Sequence, residues 1–581
     1  MDRAGLRQVA LLHFTGARSL LRAVVGSVAL SLMACGSSGT TASGTGGQGG
    51  PAVVGGSTGA GPGGSVGAAG FAGRGDSSAG GGNGGGTVGG GAGGSPAPTG
   101  GGGAAGGAGA TGAGGTPTGG STQAGGSTGK AGSSGSAGAG GIGQAAAPAW
   151  VTIHNDFFWY DTAGQLINVR SGTLRKFGDL YYWYGAATNY KDQTCYTSAD
   201  LVHWTYNGLA LQLPVETNRV DVLYNDTTKQ YVMFLKYDGN GAHLGIATAS
   251  APEGPFTFKS ETLVDNALIG DMSVFKDDDG KAYLAYVWWG TGTNKAHGIY
   301  RFSPDYLTLD TRMYLWNIPS RESPHLYKRN GTYYFEVSET NGINPSPTRY
   351  YTATELTGPW TAPVIMSTPG SSTTYETQAD FVLPFAGAQG TVYLFDADRW
   401  IPTGGFQGNY LWLPLLFDSG LAPSLSYYQD WDMNVTAGTW RVFDRSTRDL
   451  ALGKTATAST TNGANAASNV TKATTYQNYT ATRWESAASD SEWIMVDLGS
   501  VTALDRVILK WHTNYGKAFK IQVSSDSTTW TDVYSTSIGA SYSVTDVAFD
   551  RTTARYVRMS GSQRGTANGY SLFAFMVLND P

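Results

Sequence analysis

The stretch NGTYYFEVSE, residues 330–339, opens with a tight Asn330-Gly331 turn and continues as an aromatic strand-like run. Such a turn followed by alternating buried and exposed positions is typical of a β-hairpin. The unit recurs about every 50 residues, and the first aromatic residues after the five turns are Tyr181, Tyr231, Tyr283, Tyr333 and Tyr393. A fixed period of this length with several short strands per unit predicts an all-β, five-bladed β-propeller. A single β-sandwich with coincidental tyrosine spacing is the alternative.

The amino-terminal residues 1–35 have the features of an export signal. Arginines precede a short apolar run that ends in Leu-Met-Ala-Cys35-Gly, which resembles a bacterial lipobox. The run is too short for an ordinary transmembrane helix. We therefore expect lipidation at Cys35 and an outer-membrane or cell-surface lipoprotein. A plain signal peptide and a secreted protein are the alternative.

Residues 36–147 contain 49 of the 85 glycines and only three charged residues. A segment with so little apolar surface cannot offset the entropy of its chain, so we expect a disordered tether. Residues 148–446 then hold the predicted propeller. From residue 447 to 581 the strand pattern changes and predicts a separate antiparallel β-sandwich.

The composition limits the partners and cofactors. The net charge of −5 and the absence of a basic run give no indication of nucleic-acid binding. Cys195 is the only cysteine after Cys35, so a disulfide framework is excluded, and no Cys/His metal-ligand spacing occurs. Low charge (14%) with high aromatic content (12%) suits an extracellular protein that binds neutral, ring-shaped ligands.

The propeller region resembles glycoside hydrolase family 43, and within it the branch that contains exo-β-1,3-galactanases. The resemblance covers most of residues 153–430 and rests on the order of FFWYDTAGQLIN (157–168), YYWYG (181–185), CYTSADLVHW (195–204), DMSVFKDDDGKAYL (271–284), SRESPHLYKRNGTYY (320–334) and TQADFVLP (377–384). It implies an inverting glycosidase that needs a polysaccharide substrate of the galactan type and no cofactor.

The resemblance also implies roles for three residues. Glu322, in its Arg-Glu-Ser-Pro context, matches the general acid, where a solvated loop charge is the alternative interpretation. Asp271 matches the residue that tunes the pKa of this acid and orients it. Gln378 matches a glutamine that is assigned the water-activating role in the galactanase branch through its imidic tautomer.

Three positions depart from the family pattern. Arg170 stands near the position of the usual catalytic aspartate, Ala186 replaces an acid after YYWYG, and Asn218 replaces the glutamate of a Glu-Arg-Pro motif. Glu216 and Asp221 are nearby acids that could compensate. These departures keep two other functions open: an α-L-arabinofuranosidase or arabinanase, and a surface glycan-binding lipoprotein without catalysis.

The C-terminal region resembles a discoidin-like module (coagulation factor 5/8 type C), called family 32 when it binds sugars. The resemblance rests on TRWES (482–486), SEWIMVDLGS (491–500), DRVILKWHTNYGKAFKIQVSSDSTTW (505–530) and ARYVRMSGSQRGTANGYSLFAF (554–575). It implies a jelly-roll sandwich that binds galactose-type sugars, with His512, Tyr515 and Arg564 as candidates. The structural calcium of such modules is in doubt, because VTKATT (470–475) and FAFMV (573–577) lack the usual acids.

Overall fold

The computed structural model describes residues 150–239, 241–289, 295–316, 321–340, 345–401, 405–473 and 482–580. The predicted signal peptide, the tether and the lipidation residue Cys35 lie outside these residues. In the described ranges, no helix has the length and apolar character that crossing a bilayer requires. All the described residues belong to one compact unit.

The first part of the structure consists of short antiparallel strands. In chain order they are β1 (Val151–His154), β2 (Arg170–Phe177), β3 (Leu180–Ala186), β4 (Asp192–Ser198), β5 (Thr205–Gln212), β6 (Thr217–Asn225), β7 (Gln230–Tyr237), β8 (His243–Ala249), β9 (Thr257–Thr262), β10 (Ile269–Lys276), β11 (Ala282–Trp289), β12 (Lys295–Phe302), β13 (Leu309–Trp316), β14 (Arg321–Arg329), β15 (Thr332–Glu339), β16 (Thr348–Ala353), β17 (Val364–Ile365), β18 (Gln378–Ala386), β19 (Thr391–Ile401), β20 (Gly405–Ser419), β21 (Ala422–Leu425), β22 (Asp430–Asn434) and β23 (Thr439–Val442).

Twenty of these strands form five four-stranded sheets, each built from four consecutive strands beginning at β2, β6, β10, β14 and β18. These first strands are the innermost ones. Each of them contacts the next, and β18 contacts β2, which closes a ring. The Asn330-Gly331 turn joins β14 to β15 in the fourth sheet.

A sixth sheet was not predicted. It has three strands in the order β1-β22-β23, and Val151 pairs with Met433 across it. With this sheet the propeller region has six sheets, so the predicted number of five blades was too low by one. The physical reason is that β1 and β22 come from opposite ends of the region, where no internal repeat can reveal their pairing.

Aromatic side chains fill the spaces between neighbouring sheets. Tyr181, Tyr283 and Tyr333, three of the five repeated tyrosines, are buried. A second set around the first sheet includes Trp183 and Trp412, whose ring centroids lie 5.1 Å apart. Large rings suit this position because each buries much apolar surface and because offset or tilted packing is favourable.

The C-terminal part begins with the short helix α1 (Arg445–Arg448), which includes the predicted boundary at residues 446–447. A 3-10 helix at Ala467–Thr471 follows β24, and the strands are β24 (Thr455–Ala458), β25 (Trp484–Glu485), β26 (Trp493–Trp511), β27 (Gly516–Ser524), β28 (Thr531–Thr536), β29 (Val544–Arg564) and β30 (Ser571–Leu578). They form one seven-stranded, sandwich-like sheet in which the long strand β26 pairs with β24, β29 and β30.

The two parts are joined by an apolar cluster and a buried polar network. Phe157 stacks on Tyr542 with ring centroids 5.3 Å apart. His154 of β1 contacts Asp430 of β22 at 2.7 Å and Asp546 of β29 at 3.0 Å. Lys510 of β26 donates to both carboxylate oxygens of Asp430 at 2.6 Å. Paired and hydrogen-bonded charges of this kind are what a buried polar contact requires.

Candidate active site

The innermost strand of every four-stranded sheet is irregular near its first residues. The register shifts lie between Arg170 and Thr173, Asn218 and Asp221, Ile269 and Met272, Glu322 and His325, and Ala379 and Phe381. A bulge inserts a residue that re-aims side chains and is common beside active sites. Five equivalent bulges therefore bring polar side chains from distant parts of the chain to one end of the ring.

The backbone is strained at three of these bulges. Ser171, Arg219 and Ser323 have φ angles of 45°, 53° and 54°. A non-glycine residue in this left-handed region costs roughly 1–2 kcal/mol. Strain of this size persists where the surrounding structure imposes it, which is typical of functional sites.

Glu322, the predicted acid, lies half-buried at the start of β14. The side-chain amide Nε2 of Gln378 donates to Oε2 of Glu322 at 3.1 Å. The hydroxyl of Ser338, on the neighbouring strand, donates to the backbone oxygen of Glu322 at 3.3 Å. The structure thus brings together two of the three predicted residues by direct contact.

Asp271 reaches the acid through the backbone. Its Oδ2 accepts from the backbone N–H of Ser323, the residue after Glu322, at 3.0 Å, and from Arg219 Nη2 at 2.9 Å. Burial disfavours the charged form of Asp271, but the guanidinium of Arg219 and the nearby Lys236 outweigh burial and lower its pKa. Asp271 is therefore an anion that holds the chain at Glu322.

Arg219 is the main residue of this site that the sequence analysis missed. Its Nη1 donates to Asp380 at 2.5 Å, and its Nη2 donates to Asp271 and to Oε1 of Gln378, each at 2.9 Å. It is buried, and the surrounding acids raise its pKa despite burial. The signal in the sequence was its place directly after Asn218, at the arginine of the Glu-Arg-Pro motif.

Two further buried acids lie behind these residues. The backbone N–H of Asp398 donates to Asp380 at 2.9 Å, and that of Ser171 donates to Asp398 at 2.8 Å. Burial raises the pKa of Asp398 to about 6, and burial together with the charge of Asp398 raises that of Asp380 well above its usual value. The acidic cluster fixes the orientation of the Arg219 guanidinium and favours its charged form.

The positions that depart from the family pattern are all at this end of the ring. Arg170 is buried with its guanidinium 4.7 Å from the ring centre of Tyr190, and Ala186 is its cross-strand partner. Asn218 pairs with Lys236 across the second sheet. A cation above an aromatic face is a favourable arrangement.

The two acids that could compensate are placed differently. Asp221 is buried and accepts from Arg175 Nε at 2.8 Å and Nη2 at 2.6 Å, so it forms an ion pair between the first and second sheets. Glu216 is exposed just before β6. Asp221 is thus committed to holding two sheets together, and Glu216 remains the more accessible of the two.

Comparison with known sequences assigns both parts of the chain. Residues 172–384 match the profile described as glycosyl hydrolases family 43. The chain contains a family 43 domain. Residues 453–559 match the profile described as a NedA-like, galactose-binding domain of the F5/F8 type C class. The family 43 match includes Glu322, Asp271, Arg219 and Gln378.

Individual relatives match this chain over shorter stretches or at low sequence identity. A β-D-galactofuranosidase of Aspergillus niger is 29% identical over 215 residues, which are 32% of this chain and 62% of that enzyme. A β-xylosidase of Xylanibacter ruminicola is 40% identical over 65 residues, 11% of this chain and 20% of that enzyme. The chain therefore spans less than two thirds of the length of either relative. The crystal structure of an exo-β-1,3-galactanase from Phanerochaete chrysosporium with galactose has 25% identity and a TM-score of 0.48, covering 74% of this chain and 100% of that one.

In the NedA-like domain, the candidate sugar ligands His512 and Tyr515 lie between β26 and β27, and Arg564 is the last residue of β29. His512 packs edge-on against Phe573 with centroids 5.2 Å apart, and burial lowers its pKa. The backbone oxygen of Tyr515 accepts from Gly565 at 2.8 Å. Arg564 donates to Asp490 at 2.9 Å and to the backbone oxygens of Ala567 and Asn568, so its guanidinium orders the loop that follows β29.

The positions that supply calcium ligands in related modules carry no carboxylate where the structure describes them, and a structural calcium ion stays an untested expectation. Residues 470–473 and 573–577, within the described part of the domain, carry no carboxylate, and a hard cation of this kind prefers several oxygen ligands with charge. Among the residues that the structure describes, no group of three or more His, Cys, Asp or Glu side chains could hold a metal ion.

Proposed function

We propose that this chain is an inverting glycoside hydrolase that removes galactose units from the ends of β-1,3-galactan-type glycans. The observation that carries the proposal is Glu322, half-buried at the centre of a family 43 ring, with its side chain held by Gln378 and its backbone held by Asp271. A carboxyl group fixed from both sides is what protonation of a leaving oxygen requires.

In the proposed reaction Glu322 gives its proton to the glycosidic oxygen as the bond from that oxygen to C1 breaks. A water oxygen bonds to C1 from the opposite face of the sugar and releases one proton, which restores the acid form of Glu322 through solvent. The anomeric configuration is inverted because a single displacement occurs. Asp271 holds the backbone next to Glu322, and Gln378 holds its side chain.

Two features of the same chain support a galactose-type substrate. The C-terminal region is a galactose-binding domain by its profile, and the Aspergillus relative of the propeller is named for a galactofuranoside. A domain that binds the sugar next to a domain that cleaves it raises the local concentration of substrate ends. His512, Tyr515 and Arg564 are the proposed sugar contacts of the second domain.

One alternative has a specific observation in its favour. Arg170, Ala186 and Asn218 remove acids from the end of the ring where catalysis would take place. A propeller altered in this way could bind glycans without cleaving them. An α-L-arabinofuranosidase or arabinanase is the other alternative, because the family 43 profile is shared by enzymes with different substrates.

One experiment separates these functions. The purified chain is incubated with β-1,3-galactan, arabinan and xylan, and released sugars are identified by chromatography. Proton NMR of the first product shows whether α-galactose appears before mutarotation, as inversion requires. Glu322→Gln should abolish release, whereas Glu355→Gln, the same change at an exposed position between β16 and β17, should not. Arabinose release supports the second function, and retained binding without any release supports the third.

We also propose that the protein is exported and anchored through a lipid on Cys35, with residues 36–147 as a tether that lets both domains reach external glycans. A secreted form is the alternative. Cys35→Ser should move the protein from the membrane fraction to the medium or the soluble fraction. An unchanged distribution would contradict anchoring at this residue.

A further inference from the structure

Arg219 is held so firmly that its partners are fixed as well. It lies at a bulge of β6 with a left-handed backbone, and its guanidinium reaches side chains on β10 and β18. An arginine has only donors, arranged in a rigid fork. Every atom that faces this guanidinium must therefore be an acceptor.

This constraint determines the orientation of the Gln378 amide. The oxygen and nitrogen of an amide are interchangeable in shape, so their assignment depends on their neighbours. The atom 2.9 Å from Arg219 Nη2 must be Oε1, and Nε2 is then turned toward Oε2 of Glu322 at 3.1 Å. Gln378 is thus a donor to the acid.

The same geometry argues against Gln378 as the group that activates water. In an inverting glycosidase the acid and the base lie on opposite faces of the sugar, roughly 6.5–9.5 Å apart, so that water fits between. Gln378 is in direct contact with Glu322. The imidic tautomer would also place a proton on Oε1, where it would face the cationic donor Arg219.

We propose that Arg219 is a positioning residue for the acid: it fixes Gln378 as a donor to Oε2 of Glu322, so that Oε1 carries the proton given to the leaving oxygen. This inference rests on the proposed function and assigns Gln378 to the orientation of the acid. It predicts that substitution of Arg219 impairs the donation of the proton from Glu322 to the leaving oxygen and leaves the other parts of the reaction nearly unchanged.

The test compares two substrates with different needs for an acid. The galactosyl disaccharide β-1,3-galactobiose has an alcohol leaving group that must be protonated, whereas 2,4-dinitrophenyl β-galactoside has one that leaves as an anion. Arg219→Lys keeps the charge but loses the fork. Because general acid catalysis is worth roughly 10²–10⁴ in rate, we expect kcat on galactobiose to fall by about 10–100-fold, with KM little changed. Activity on the dinitrophenyl substrate should fall by no more than a few-fold.

Two variants make the comparison specific. Glu322→Gln should show the same dependence on leaving group, only larger. Arg175→Lys makes the matched change in the buried pair with Asp221, away from the acid, and should affect both substrates equally or neither. Equal losses on both substrates in Arg219→Lys would overturn the inference and leave the proposed function standing.

A third variant keeps the inference testable if Arg219→Lys does not fold. Gln378→Glu is isosteric and leaves Arg219 in place, but turns an acceptor toward Oε2 of Glu322. If Gln378 orients the acid, activity on galactobiose falls while the dinitrophenyl substrate is spared. If Gln378 activates water, a stronger base maintains or raises both activities, which would overturn the inference. A wild-type chain inactive on both substrates would overturn the proposed function together with the inference.

Discussion

Replacing Lys510 by methionine tests the account of how the two parts of the molecule are held together. Lys510 lies on β26 of the NedA-like domain with no exposed surface, and its Nζ donates to both oxygens of Asp430 at 2.6 Å. Asp430 belongs to the three-stranded sheet of the propeller, and its pKa is held low by Lys510 and His154 despite burial. The substitution preserves the apolar stem and removes the cation.

The expected loss of unfolding free energy follows from the contact between Lys510 and Asp430. Two unit charges ~3 Å apart attract by about 5 kcal/mol at an effective dielectric constant of 20. The loss is smaller than this because the variant no longer has to desolvate a lysine, and removal of one partner from a buried pair costs about 3–5 kcal/mol. His154 still contacts Asp430 at 2.7 Å, so we expect the lower end, about 3 kcal/mol, or more than a 100-fold change in the unfolding equilibrium.

The measurement is urea unfolding followed by tryptophan fluorescence, with calorimetry as a second probe. Lys520→Met is the matched control, since Lys520 on β27 forms an ion pair with Asp532 at 2.6 Å but has 51% of its side chain exposed. Exposed pairs contribute about 0–1 kcal/mol. Equal effects of the two substitutions would refute the reasoning. In the Lys510→Met background, Asp430→Asn should recover part of the loss because it removes the stranded charge.

Two other predictions concern the site and the interface. Asp271→Asn should lower kcat on galactan by about 10²-fold, because neutral hydrogen bonds to the backbone of Ser323 and to Arg219 are about half as strong as charge-assisted ones. His154→Gln should be most destabilising below about pH 6.5. Asp430 and Asp546 raise the pKa of His154 although burial opposes them, so its contribution is lost as the pH rises through that raised value. A difference in urea midpoint that widens toward alkaline pH would contradict this account.

The repeated part of the fold could be predicted from the sequence because the strand pattern within each unit agrees with the sheet that the unit forms. Each aromatic hairpin that the spacing identified is a hairpin of a four-stranded sheet, as with Tyr333 on β15. The sixth sheet could not be found in this way. The hydrogen bond between Thr152 and Asp432 joins residues 280 positions apart, and neither strand carries the repeat that revealed the others.

The candidate site could be predicted from the sequence only in part, and from a different kind of signal. Motif order, rather than strand pattern, pointed to Glu322, Asp271 and Gln378, and the structure places them in one hydrogen-bonded group. Arg219 was missed because its position depends on a bulge and a left-handed φ, which strand periodicity does not encode. Asp380 was missed because burial, and the raised pKa that follows from it, arises only when the ring closes.

The bulges explain how a repeating fold supports a site that does not repeat. Side chains alternate between the two faces of a strand with a period of two, so one inserted residue changes the direction of those before it and leaves those after it in register. Beyond each bulge the innermost strands pack uniformly, as Leu174 and Val222 do in neighbouring sheets. Before the bulge or within it, each strand carries a different polar residue. Arg170 and Asn218 therefore stand where substitution changes the chemistry of the ring without repacking the space between its sheets.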